Sequence, residues 1–430
     1  MTVFARFFHD RKGGVAPLLA ICIVPLVTAA GAAIDYSRAG SVRTSMQAAG
    51  DATALMLAKG ATGMNPTQLQ ASASAYFQAN FHRSEAINPQ VTANFSQGPN
   101  GMVVTVNGSA NVRTLFMGMV GFPQISIETT GTVNWNNSKL RVALVLDNTG
   151  SMSSAGKLTA LKSASHNLLT QLQSAAQQNG DVLVSIIPFV KDINMGASNY
   201  NANWIDWADW DAANGTCSNH TYTSKSTCQS HNAIWTPKNH NTWNGCITDR
   251  DQNFDTLNTA PTVLGGGSAK FPAEQSSSCP VEVMGLSYDW SALNAKIDAM
   301  VAAGNTNQAI GLALGWQSLT NAPFTVPAKD PNYQYQDIII LLTDGLNTQD
   351  RWYTTAAAID NRQAVTCNNI KNAGITLYTV QVNTGGDPTS TLLENCASSS
   401  DKFFLLTSAS QIVTTFGAIG TQISKLHVSN

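Results

Sequence analysis

Residues 140–152 read Leu140-Arg-Val-Ala-Leu-Val-Leu-Asp147-Asn-Thr149-Gly-Ser151-Met152. Leu140 to Leu146 is almost wholly apolar and of strand length, the pattern of a central strand buried on both faces. Asp147 then falls at the carboxyl end of that strand, where open α/β sheets bind their ligands. Asp147, Thr149 and Ser151 offer a carboxylate and two hydroxyls. Hard divalent cations take such oxygen donors, Mg²⁺ usually with only one or two carboxylates. Helix capping alone accounts for Ser151 or Ser153, but not for acids at two strand ends.

The second acid is Asp344. It closes a second buried run, Asp337-Ile-Ile-Ile-Leu-Leu-Thr-Asp344-Gly. Between the two, Gly304-Asn-Thr306-Asn supplies a further hydroxyl just before a helical pattern. An Asp-x-Thr-x-Ser run, a later Thr after a Gly, and a strand ending Thr-Asp-Gly together resemble the metal-ion-dependent adhesion site of von Willebrand factor A domains. The resemblance implies a divalent-cation site at Asp147, Thr149, Ser151, Thr306 and Asp344, filled by Mg²⁺ or Mn²⁺ rather than Ca²⁺. It also implies an open position for a carboxylate from a protein partner.

The chain has 430 residues, more than one ordinary core holds, and a formal net charge of −2 with 12% charged residues. That balance excludes an electrostatic footprint for nucleic acid. Of seven cysteines, Cys22 lies in an N-terminal apolar run, leaving six: Cys217, Cys228, Cys246, Cys279, Cys367 and Cys396. An even number after an export signal reads as disulfides in an oxidising compartment. Pairing sequence neighbours gives 217–228, 246–279 and 367–396, although six cysteines allow fifteen arrangements.

Residues 1–14 are basic, and 13–34 carry no charge. Val15 to Ile34 is twenty residues, about 30 Å as a helix and enough to cross a bilayer. The basic flank sets a cytoplasmic N-terminus, with the bulk outside. The competing reading is a signal peptide cleaved near Ala30-Gly31-Ala32. Past the span, Val42, Met46, Ala49, Thr53 and Met56 form a helical seam at four-three spacing. Arg11-Lys-Gly-Gly14, Ile34-Asp-Tyr-Ser-Arg38 and Gln47-Ala-Ala-Gly-Asp-Ala52 resemble the N-terminal segment of TadE/TadG-like Flp (tight adherence) pilus-assembly proteins. A processed prepilin wants Glu five residues after its cleavage Gly. After Gly14 that position is Leu19, so prepilin cleavage is not expected.

The expected architecture is α/β: a doubly wound parallel sheet of von Willebrand factor A type over 138–428, with a Cys/Trp-rich, disulfide-bearing insertion at 191–289. A basic segment (1–14), a transmembrane helix (15–34) and a small pilin-like α+β region (35–137) precede it. Strands are expected near 91–96, 102–106 and 124–130, a turn at Gly98–Gly101, a linker at 134–138, and a helix over Leu293, Ile297, Met300 and Val301 before Thr306. Ile412, Phe416, Ile419, Ile423 and Leu426 mark the last helix.

The insertion holds five of the nine tryptophans, and Trp204, Trp207 and Trp210 form a candidate partner surface. The alternative is that they pack a small stapled subdomain. Cys217-x-x-His220 with Cys228-x-x-His231 offers zinc ligands. Asp206, Asp209 and Asp211 lack the loop glycine of a calcium hand. Gly265-Gly-Gly267 is a flexible loop with no helix signal after it. No nucleophile elbow, phosphate loop or zinc-protease motif appears, so the expectation is a binding protein and not an enzyme. The resemblances imply a component of pilus assembly in the bacterial inner membrane, with its mass in the periplasm and another assembly protein as partner. A secreted adhesin is the first alternative and a metal-assisted hydrolase the second.

Overall fold

The computed structural model describes residues 15–98, 101–135, 138–261, 263–264 and 267–428. The basic segment 1–14, Pro99 and Asn100 of the turn, 136–137 of the linker, Gly265 and Gly266, and the side chain of Leu426 lie outside the described residues. The chain forms two compact units, Met1–Asn137 and Ser138–Asn430.

In the first unit, helix α1 runs unbroken from Val15 to Ala58. Helix α2 (Pro66–Asn80) starts at an Asn65 cap, with Gln68 answering in a capping box and Pro66 in the first turn. Strands β1 (Ala86–Gly98), β2 (Gly101–Arg113) and β3 (Gln124–Trp135) form an antiparallel sheet in that order. On β2, Val104, Val106, Ala110 and Val112 turn inward against both helices. Gly131 lets α1 approach the sheet, since a Cβ there would meet the backbone carbon of Gly50 at 3.0 Å.

The seam of α1 departs from the heptad reading. Met56 is exposed, and Leu57 is buried in its stead. Val42, Met46, Ala49 and Thr53 are buried at the expected four-three spacing, with Ala39, Ala54 and Leu57 beside them. A heptad seam drifts around a straight helix, and this drift carries Met56 off the sheet. Buried Thr53 satisfies its hydroxyl on the Ala49 carbonyl at 2.7 Å.

The second unit is a six-stranded sheet. Its strands are β4 (Ser138–Asp147), β5 (Val182–Phe189), β6 (Met284–Ser287), β7 (Gln334–Thr343), β8 (Thr376–Val382) and β9 (Phe403–Leu406), in the order β6-β5-β4-β7-β8-β9. All neighbours are parallel except the edge strand β6, which is antiparallel to β5. Helices α3 (Lys157–Ala175), α4 (Trp290–Asp298) and α8 (Ser410–Val428) cover one face, against Leu140, Val142, Leu144 and Leu146. Helices α5 (Gln308–Thr320), α6 (Ala356–Asn372) and α7 (Thr391–Cys396) cover the other, against Ala143 and Val145. Gly315 lets α5 lie directly on β4, because a Cβ there would sit 2.5 Å from a methyl of Val145. This is the doubly wound arrangement of a von Willebrand factor A-like domain. The chain leaves β4 for β5 on one side and returns for β7 on the other, so the switch point lies at the carboxyl ends of β4 and β7.

The insertion differs from its sequence reading in three ways. Its last segment, Met284–Ser287, is the edge strand β6 of the main sheet. Its apolar residues do not make a separate core: Ile193, Ile205, Trp210, Trp243, Ile247 and Phe271 pack with the α5 face of the sheet. Only Cys217, Cys228 and Trp235 form a satellite cluster. Trp210, offered above as partner surface, is 2% exposed. Trp204 and Trp207 are half-buried against that core. Trp207 stacks on His240 at 3.8 Å and meets Trp210 and Trp243 edge-on. Trp210 therefore packs the core and is no part of a surface, while Trp204 and Trp207 keep one side in solvent.

Disulfides join Cys217 to Cys228, Cys246 to Cys279 and Cys367 to Cys396. The first takes both thiols from the zinc reading. The helix expected through Val301 stops at Asp298; Met300 is buried beyond it, and Val301 is exposed.

Candidate metal centre

The site begins with two neighbouring strands ending level. Leu146 of β4 pairs with Leu342 of β7, so Asp147 and Asp344 emerge side by side from distant parts of the chain. The Asp147 carboxylate is fully buried. Its Oδ1 accepts the Thr149 amide at 2.8 Å and the Thr149 hydroxyl at 2.6 Å, and its Oδ2 accepts the Thr343 hydroxyl at 2.7 Å. Ser151, on a short 3₁₀ turn before α3, donates its hydroxyl to Asp344 Oδ1 at 2.6 Å. Thr149 Oγ1 and Ser151 Oγ lie 3.0 Å apart. Each hydroxyl has one proton. Two hydroxyl protons thus serve three contacts when both carboxylates are ionised.

Asp147, Thr149, Ser151 and Asp344 thus form one continuous chain of polar contacts. Thr306 is buried on the adjoining loop and stands outside that chain. Its loop is sewn to the Asp147 loop: Ala303 N–H donates to the Asn148 carbonyl at 2.9 Å, Gly150 N–H to the Gly304 carbonyl at 3.0 Å, and Asn148 Nδ2 to the Val301 carbonyl at 2.6 Å. Thr348, just past Asp344, hydrogen bonds both backbone groups of Thr306. Next in sequence, Asn307 caps α5 and donates to Asp249 Oδ2 at 2.7 Å. Buried Gln308, Asn347 and Gln363 tie the Thr306 and Asp344 loops together. The insertion therefore reaches the site through Asp249.

Burial, together with the charge of Asp344, pushes the Asp147 carboxyl up to about 6, against the pull of its Thr149 and Thr343 donors. The two acids and the Thr149 and Ser151 hydroxyls gathered here suit a hard divalent cation, Mg²⁺ or Mn²⁺, by donor chemistry. One feature was missed in the sequence. Lys157, buried in the first turn of α3, ion-pairs with Asp344 Oδ2. A lysine at a helix N-terminus opposes the helix dipole, and that misfit was the available signal that an acid holds it there. Its ammonium neutralises part of the charge a cation would otherwise meet. Lys157→Gln is therefore expected to tighten Mn²⁺ binding roughly tenfold, equivalent to about 1.4 kcal/mol, as read by titration calorimetry.

The strand order defines the class as a von Willebrand factor A-like domain. Residues 13–61 match the family model "Tad: Putative Flp pilus-assembly TadE/G-like". The chain thus joins a TadE/G-like segment to an A-like domain. A search of curated proteins finds no match.

Solved structures similar to it include the pilus adhesin SpaC from Lactobacillus rhamnosus GG, at 15% identity and a TM-score of 0.37, over 81% of this chain and 36% of that one. The chain thus spans about a third of SpaC. The vWF domain of the type V pili tip protein Mfa5 from Porphyromonas gingivalis matches at 10% identity and a TM-score of 0.40, over 68% of this chain and 97% of that one. Proximal thread matrix protein 1 from the mussel byssus, with a zinc-occupied MIDAS motif, matches at 12% and 0.34, over 67% and 46%. The fold assignment rests on the strand order and not on these scores.

Proposed function

We propose that this protein is an inner-membrane-anchored, periplasmic component of Flp pilus assembly that binds a protein partner through a divalent cation. Asp147, Thr149, Ser151, Thr306 and Asp344 hold the ion, directly or through water. A bound Mg²⁺ or Mn²⁺ supplies an electrophilic position for one carboxylate of the partner, itself another assembly component. The observation that carries this reading is the unbroken polar chain from Asp147 to Asp344 at the switch point of the sheet. A recess of about 380 Å³ lined by Lys191, Glu274, Gln349 and Arg351 neighbours the Thr306 loop through the Gln349 amide. It gives the partner a second, polar foothold.

The anchored reading takes α1 as its membrane span, a role that a signal sequence of the same length and composition would share. One helix is long and apolar enough to cross a membrane. It passes without a break through Ala30-Gly31-Ala32, where cleavage was considered, and Gly31 lies against Phe116.

The test is co-purification of the other pilus-assembly proteins with the tagged chain from solubilised inner membranes, in Mg²⁺ and in chelator. The partner is expected to be retained in Mg²⁺ and lost in chelator or with Asp147→Asn. Equal recovery in all three would contradict an ion-bridged contact.

A further inference from the structure

The hairpin connection Thr114–Pro123 between β2 and β3 has no part in the metal site, and it is built unlike a surface loop. It reads Thr-Leu-Phe-Met-Gly-Met-Val-Gly-Phe-Pro: ten residues, six of them large and apolar, and no charge. Its backbone is ordered by its own bonds. Thr114 N–H donates to the Pro123 carbonyl, the Thr114 hydroxyl to the Phe122 carbonyl at 2.6 Å, and Phe122 N–H to the Met117 carbonyl at 2.9 Å. Gly121, at φ +99°, makes the turn. With polar groups satisfied inside, the side chains face out: Met119 is 83% exposed, Phe122 61%, Leu115 56% and Val120 50%. Contiguous exposed apolar side chains of this kind mark an interaction site.

The loop's place along α1 identifies what covers it. The Asp35 carboxylate accepts the amides of Leu115, Phe116 and Met117, each at 2.8 Å. Gly31 lies one turn, about 6 Å, toward the apolar end of the helix. Phe116 packs there so closely that a Cβ on Gly31 would sit 2.4 Å from that of Phe116. From Leu19 to Ala30 every residue of α1 is exposed except half-buried Thr28. Within α1, Val15 to Ile34 is twenty charge-free residues, about 30 Å of helix, against a hydrocarbon core of about 30 Å. With Val15 at one edge of that core, the other boundary falls near residues 31–35. That is the level at which Asp35 hooks the loop.

We propose that Thr114–Pro123 is a membrane-surface anchor: Leu115, Met119, Val120 and Phe122 enter the outer edge of the same bilayer that α1 crosses. Tyr36, 73% exposed on α1, belongs to the interfacial class of aromatic side chains. Exposed Arg113, at the foot of the loop, faces anionic headgroups. Asp35 is the hook. Its three accepted amides fix the loop to the helix and so fix the unit's height above the lipid. The proposal rests on α1 being a membrane span, and the experiment separates the two.

The full-length protein, with Cys22→Ser and its disulfides intact, is reconstituted into phosphatidylcholine–phosphatidylglycerol vesicles carrying a lipid-borne spin quencher. A polarity-sensitive fluorophore is placed in turn at Ile21→Cys, Met119→Cys and Asn94→Cys. Quenching at 119 is expected to approach that at 21 and to exceed that at 94 several-fold. Adding Asp35→Ala should lower it at 119 but not at 21. Quenching at 21 with a water-exposed probe at 119 overturns the proposal and leaves the span standing. A water-excluded but unquenched probe at 119 also overturns it, since another protein chain would then cover the loop. No quenching at 21 removes the span and the proposal together.

Discussion

Asp147→Asn is expected to abolish divalent-cation binding and, in the metal-free protein, to raise stability at neutral pH. The two effects have opposite signs because burial makes the bare Asp147 carboxylate costly, and a bound cation would offset that cost. Burial and the neighbouring Asp344 lift its carboxyl from 3.8 to about 6. Ionising it in the fold therefore costs about 3 kcal/mol more than in water. Asparagine keeps the shape and accepts the same Thr149 donors, while the Thr343 hydroxyl can turn to accept from its amide. The gain at pH 7.5 should reach at most about 3 kcal/mol, read as a raised urea midpoint with chelator present. Cation affinity should fall by more than roughly 100-fold, beyond what is typical of residues that only support a ligand.

The sign of the pH effect follows. A carboxyl raised in the fold binds its proton more tightly there than in the unfolded chain. Its contribution to stability is complete below about pH 4 and is lost as pH climbs through about 6. Metal-free wild type should thus weaken over that window. The variant should lose one proton's worth of that slope and keep the part due to Asp192 and Asp249, which burial raises to about 6 and about 7. Cation binding runs the other way and should fade below about pH 6, as protons compete for Asp147.

The largest purely structural effect is expected at Arg141 and Asp337. They stand opposite one another on β4 and β7. The guanidinium donates to both carboxylate oxygens at 2.7 Å, with Arg141 3% exposed. Breaking a buried pair costs about 3–5 kcal/mol, because the partner is left charged and unpaired. The two halves should differ. After Arg141→Ala, Asp337 still receives Lys329 at 3.0 Å, which places the loss near about 3 kcal/mol. After Asp337→Ala the buried guanidinium loses both of its bonds to that carboxylate, which places the loss near about 5 kcal/mol. The double change Arg141→Met with Asp337→Leu should recover most of it, since apolar replacement of such pairs is often neutral or better. Urea unfolding of the four proteins measures this directly.

Much of the sheet was legible because its strands are buried on both faces and so read as unbroken apolar runs ending in acids. The gathering of Asp147 and Asp344 came from the motif resemblance, and the pairing of Leu146 with Leu342 gives it a structural basis. For Lys157 the sequence carried only the misfit of a lysine at a helix start; its partner is set by tertiary contact, and one lysine in a helix carries no periodicity. The insertion misled for a related reason. Short irregular segments look unable to bury a core, yet Trp210, Trp243 and Phe271 bury theirs against the α5 face of the sheet. Strand β6, with four residues and no charge, gave too short a pattern to separate from the loop before it. Met56 was misplaced by one position because heptad and helical periods diverge within two turns of each other only slightly, and the sheet decides between them.

The central claim is a cation held by Asp147 and Asp344, and calorimetric titration of the full-length protein with Mn²⁺ and Mg²⁺ at pH 7.5 tests it most directly. The metal-centre reading predicts saturable uptake of one ion per chain, absent in Asp147→Asn while that variant remains folded. Heat no different from buffer in the wild type, or equal binding in both proteins, would contradict it.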